Sequence, residues 1–185
     1  MYAIVKDNKI EKTGTIKQLF PTTSFAGGVA NSEFKKAENV EDVVNAEQKD
    51  RTYYYVTQGD IVLVDGVPTQ QFTNTAKRLE DEDAKDADGN QLYVQVYDED
   101  TKKMVNTSEK LVNQGLKTSC LGEIKDTANK LLSKTDWMVI RKAERDVAIP
   151  SGTATYRAEV ISETSRLETA ITNASDVDAL AEVMQ

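Results

Sequence analysis

The chain has 185 residues and a net charge of −8, from 23 basic and 31 acidic side chains, with no histidine and one cysteine. That length holds one domain or two small ones around a modest core. The missing histidines exclude the ordinary zinc, haem and histidine-base sites, the lone Cys120 excludes an internal disulfide, and the acidic balance disfavours nonspecific binding to nucleic acid or anionic lipid.

The first elements read as strands. "YAIV" and "KIEK" flank Asp7-Asn8, a tight-turn pair, so residues 1 to 14 predict a hairpin. No basic n-region followed by an apolar stretch precedes it, and no apolar run further on approaches the roughly 20 residues of a bilayer span. A soluble chain without a visible address is expected. In the stretch from Leu19 to Val44, Pro21, Gly27 and Gly28 break any long element while Phe20, Phe25 and Phe34 stay apolar, which predicts an ordered loop pinned by aromatics. "YYY" at 53 to 55 begins a strand with at least one tyrosine facing out. "DIVLV" then turns through Asp65-Gly66 into "VPTQQFT" as a second hairpin.

Residues 80 to 100 hold nine carboxylates against one base, Lys85, and leave the rest of the chain close to neutral. Low apolar content makes "RLEDEDAKDADGNQ" a candidate linker or exposed loop. A third hairpin follows, in which Leu92, Val94 and Val96 alternate with Tyr93, Gln95 and Tyr97 before a return strand ending in Met104 and Val105.

Beyond residue 110 the apolar period changes from two to about 3.6. Leu121, Ile124, Ala128 and Leu131 keep helical spacing; Tyr156, Val160, Leu167 and Ile171 do so after Pro150; Val177, Leu180 and Val183 close the chain. Three or four helices are expected, with Thr135 as one N-cap, Pro150-Ser151 as the next start, and Ser175 with Asp178 as a capping box. The fold class is therefore α+β: a β-hairpin-rich domain over 1–106 with an acidic insertion at about 80–90, and a small helical region over 110–185.

Each candidate site competes with a plain reading. "DADGNQ" resembles the start of an oxygen-rich calcium loop, but Gln91 and Tyr97 occupy the positions where glycine and a bidentate glutamate are needed, so an acidic turn is the better reading. Gly27-Gly28 lacks the frame and lysine of a phosphate loop. A glycosidase pair needs an apolar pocket and aromatic platforms in which this chain is poor. Cys120 lacks a histidine base and reads as a small buried residue. No cofactor is implied, and a noncatalytic protein is expected. Trp137, Ile140, Ala143 and Val147 have the spacing of a buried stripe, opposite Arg141, Glu144 and Arg145, which makes the only tryptophan a core or interface anchor.

Two segments carry a resemblance. "MYAIVKDNKIEKTGTIKQLFPTTSF" and "LLSKTDWMVIRKAERDVAIPSGTATYR" resemble small tail-fibre-associated or tail-assembly-chaperone-like proteins of tailed bacteriophages. The second holds a leucine pair, Leu131 and Leu132, then Thr135-Asp136-Trp137, Arg141, Pro150 and Tyr156-Arg157. The resemblance implies a noncatalytic structural protein of the virion tail or its fibres, made in the host cytoplasm and binding a tail or tail-fibre protein. Its partner-binding candidates are Trp137, Arg141, Tyr156 and Arg157, and a symmetric particle allows a homo-oligomer. The alternatives are a transient tail-fibre assembly chaperone, a receptor-recognition module binding carbohydrate through Tyr53, Tyr54, Tyr55, Tyr93 and Tyr97, and a cell-wall hydrolase built on two facing carboxylates.

Overall fold

The computed structural model describes residues 1–185, the side chain of Ala26 excepted, and the chain divides into two compact units, Met1–Ala76 and Lys77–Gln185. The architecture is α+β, with hairpins early and long helices late. The division falls before the acidic stretch and not near residues 106 to 110, so the third hairpin belongs with the helices.

In the first unit, β1 (Tyr2–Lys6) and β2 (Lys9–Gly14) pair antiparallel, and β3 (Val40–Asp42) adds to the other edge of β1. Asp7 and Asn8 both take positive φ, 47° and 59°, as a two-residue hairpin turn matching strand twist requires. Thr15 opens α1 (Ile16–Leu19) with a reciprocal box: its hydroxyl accepts from Gln18 N at 3.3 Å, and the Gln18 side chain accepts from Thr15 N at 2.8 Å. The aromatic-pinned stretch is ordered as expected but contains a helix, α2 (Ser32–Ala37), capped by Asn31. Phe34 stands edge-on to Phe20 and Phe25 at 5.0 and 4.9 Å, and the three cover Ile16, Ala30 and Val40.

The second sheet of this unit sets β4 (Val44–Asn45) parallel to β6 (Val67–Ala76), which pairs antiparallel with β5 (Tyr54–Val64). Its turn is Asp65-Gly66, at φ 51° and 81°. Strand alternation buries Tyr54 and turns Tyr55 out. A register shift after Gln58 leaves the Gly59 carbonyl outside the ladder; the buried Gln70 Nε2 donates to it at 2.6 Å, and Gln58 Nε2 donates to Gln70 Oε1 at 2.7 Å.

In the second unit, β7 (Glu82–Asp83) pairs with β10 (Val112–Asn113), and β8 (Tyr93–Asp98) with β9 (Lys103–Lys110), a longer return strand than expected. The acidic stretch is not a linker. Asp81 accepts from the backbone of Gly115 at 2.7 Å, Glu80 pairs with Lys117 at 2.6 Å, and Asp83 pairs with Lys110. Ala84 is buried, donating to Leu111 O and accepting from Leu92 N, both at 2.8 Å. Gly115 is required where this segment crosses, because a Cβ there would meet Leu79 O at 2.3 Å.

Three helices follow: α3 (Leu116–Arg145), α4 (Ser151–Asn173) and α5 (Val177–Val183). The α4 start at Pro150-Ser151 is as expected. Two caps are corrected. Helix α3 runs unbroken through Thr135, whose hydroxyl donates back to Leu132 O at 3.0 Å instead of capping a new helix. The cap of α5 is Asp176, accepting from Ala179 N at 2.8 Å, and Ser175 donates to that carboxylate. Cys120, Ile171, Ala174 and Leu180 form the core, with Leu79, Leu116, Leu121 and Ile124 packed on it. The core therefore sits where α3 begins and α4 ends.

Candidate functional site

Helices α3 and α4 form an antiparallel hairpin, closed by an Asp146 C-cap in the left-handed conformation at φ 52°. The cores of neighbouring elements cover its base only. Along its outer half the two helices bury little but a seam against each other, and the expected buried stripe is exposed: Trp137 stands 52% exposed and Ile140 55%, with Val147 also open. The spacing of the stripe was helical as read; what is missing is a third element to cover it.

Of the four partner-binding candidates, Trp137 and Arg141 lie together, the guanidinium 4.8 Å from the indole centroid as i, i+4 neighbours. Among the described residues, Arg141 Nε is the buried side-chain polar atom that lacks a hydrogen-bond partner. Arg157 has a different task. Its side chain is only 16% exposed, and its Nη1 lies 2.9 Å from Asp136 Oδ1 while donating to Leu132 O at 2.8 Å and Thr135 Oγ1 at 2.7 Å. Thr135 and Asp136, adjacent on α3, and Arg157 on α4 are thus one clamp across the hairpin, and Arg157 positions the helices.

Tyr156, exposed, lines a groove of about 470 Å³ along one side of the hairpin. Ile124, Ala128 and Leu131 of α3 face Val160 and Leu167 of α4 across it, and Met184 closes one end. The sequence showed these residues as two helical stripes but not that the cleft between them stays open.

Glu123, Glu159 and Glu163 stand on this groove, so it does hold the shared carboxylates that a hydrolase needs. Glu163, however, is held below the usual carboxylate range by a hydrogen bond from Arg166, the opposite of what a general acid at neutral pH requires. The rest of the groove wall is mainly apolar, with Thr127 and Thr164 as its other polar side chains and Tyr156 as its one aromatic.

Cys120 is buried and its thiol is pushed up by burial and then by Glu123, which keeps it protonated and weakly nucleophilic. In "DADGNQ", Asp86 accepts from Asp88 N, Asn90 N and Asn90 Nδ2 at 2.8–3.1 Å, so the carboxylate closes its own turn. Among the described residues no group of three or more candidate ligands is placed to hold a metal ion, and no helix is long and apolar enough to cross a membrane. The tyrosines of the carbohydrate reading do not make one platform on β5, since Tyr54 is buried and Tyr55 points out. No protein-family profile, curated protein or solved structure matches the chain.

Proposed function

We propose that the protein is a noncatalytic component of a tailed-bacteriophage virion, part of the tail or its fibres, assembled in the host cytoplasm and bound to a tail or fibre protein. The observation that carries this reading is the open Trp137 and Ile140 surface on α3, backed by Arg141. Tryptophan and arginine are the residues that most often dominate protein interfaces, and an indole left half exposed on a charged helix marks a surface for something else to cover. The resemblance of the Thr135-Asp136-Trp137 and Tyr156-Arg157 segments to tail-fibre-associated proteins supplies the class of partner.

Pull-down of the purified full chain against the phage's tail and fibre proteins tests the reading. Trp137→Ala is expected to weaken capture by about tenfold or more, the loss typical of an interface hot spot, without changing the fold. Equal capture by wild type and variant would defeat this surface as the docking site. Mass spectrometry of purified particles separates the two kinds of tail role: stoichiometric retention supports a structural part, and absence supports the transient chaperone.

A further inference from the structure

We propose that the α3–α4 groove is filled by the same groove of a second copy, giving a two-fold symmetric four-helix bundle in which the two hairpins point the same way. The groove adjoins the Trp137 face, because Lys130 and Lys134 lie on the helical row that Trp137 and Arg141 continue, but Trp137 is not part of the groove's apolar lining, so Leu131→Glu tests the groove separately from Trp137→Ala.

The first reason is the unfinished state of the hairpin. Two helices bury one seam, and Ile124, Leu131, Tyr156, Val160 and Leu167 remain on an open groove. Ala128 at its floor lets another helix come close. The residues on this groove, from Glu123 to the level of Tyr156, cover about 20 Å of helix, so a face two helices wide offers about 400 Å² per copy, the size of a weak, reversible interface.

The second reason is charge, which selects the arrangement. Two rungs set the heights of the antiparallel helices: Asp136 is level with Arg157 and Lys125 with Glu168. Stepping along both helices from these rungs puts Lys134 level with Glu159, and Lys130 level with Glu163. Lys130 and Lys134 continue the helical row of Glu123 and Thr127, which line the α3 side of the groove, while Glu159 and Glu163 line the α4 side. A two-fold axis along the hairpin sets α3 of one copy beside α4 of the other at equal height. Lys134 then meets Glu159 across the interface, Lys130 comes beside Glu163, which Arg166 already holds within its own chain, and every neighbouring pair of helices is antiparallel. An axis across the hairpin would instead set α4 against α4 and bring Glu159 towards Glu163. Among the described ion pairs, neither lysine and neither Glu123 nor Glu159 takes part in one within the chain.

Sedimentation equilibrium of the full chain from about 1 to about 200 μM, the range expected of an interface of this size, reads the association directly. The expected result is a monomer–dimer equilibrium. Leu131→Glu should give monomer throughout, with an unchanged helical circular dichroism signal. Glu159→Lys and Lys134→Glu, both exposed and tolerable to the fold, should each weaken the dimer by about tenfold, and the double variant should recover it to within about threefold. Monomer at every concentration, a dimer indifferent to Leu131→Glu, or rescue of Lys134→Glu by Glu123→Lys in place of Glu159→Lys would each overturn the proposal.

Discussion

Arg157 and Trp137 come from one sequence element and do opposite things. Arg157 satisfies two backbone or hydroxyl acceptors and one carboxylate inside the hairpin, so removing it leaves Leu132 O and Asp136 short of a charged donor. Arg157→Ala is expected to cost about 2–3 kcal/mol in a urea titration, the range for a largely buried charged hydrogen-bond donor. Trp137 is half in water, with the Arg141 guanidinium over its ring. Its replacement by alanine should change stability by less than about 1 kcal/mol, the worth of an exposed cation–π pair. The helical spacing of the Trp137 stripe was readable from sequence. Its exposure was not, because spacing says which residues share a face and nothing about what lies opposite it.

At the scale of elements, the segment from Glu80 to Asn90 shows how composition misleads. Its charge and low apolar content read as a removable linker, yet it supplies a strand to β10, a partner for Gly115 at the start of α3, and the buried Ala84. Acidic side chains beside a helix N-terminus are stabilising there, since they meet unpaired backbone donors and the positive end of the dipole. Deleting residues 80–90 is therefore expected to unfold the second unit, seen as lost helical circular dichroism and a lost cooperative melt. A deletion that melts like the full chain would show the segment to be dispensable. The hairpin turns behave differently: Asp7-Asn8 and Asp65-Gly66 were legible because positive φ is a local demand that few residues meet.

For the whole molecule, the acidic balance predicts a direction of pH dependence. Asp81 is held below its ordinary value of 3.8 first by the Gly115 backbone, Asp86 by Asn90, Asp98 by the Thr101 backbone and Asp176 by the Ala179 backbone. Each carboxyl is more acidic folded than unfolded. Its contribution is therefore fully present above the unfolded value and is lost as pH falls through the folded one. The melting temperature should hold near neutral pH and drop steadily from about pH 4 downward. Asp81→Asn should show a shallower drop than wild type in a pH series of thermal melts; an unchanged slope would argue that the Gly115 cap contributes nothing.

By itself the sequence determined the α+β class, the three hairpins, the start of α4, the buried Cys120 and the absence of any histidine chemistry. These follow from residue type, from turn residues acting over two positions, and from periods of two or 3.6 that need no knowledge of the rest of the chain. The tertiary structure decided that α3 runs through Thr135 without a break, that the acidic stretch is tied to its first turn, and that Arg157 closes the hairpin over Asp136. It decided as well that the tryptophan face and the groove stay open. Those outcomes depend on which distant segments meet, and burial is a property of the meeting, not of either stripe alone.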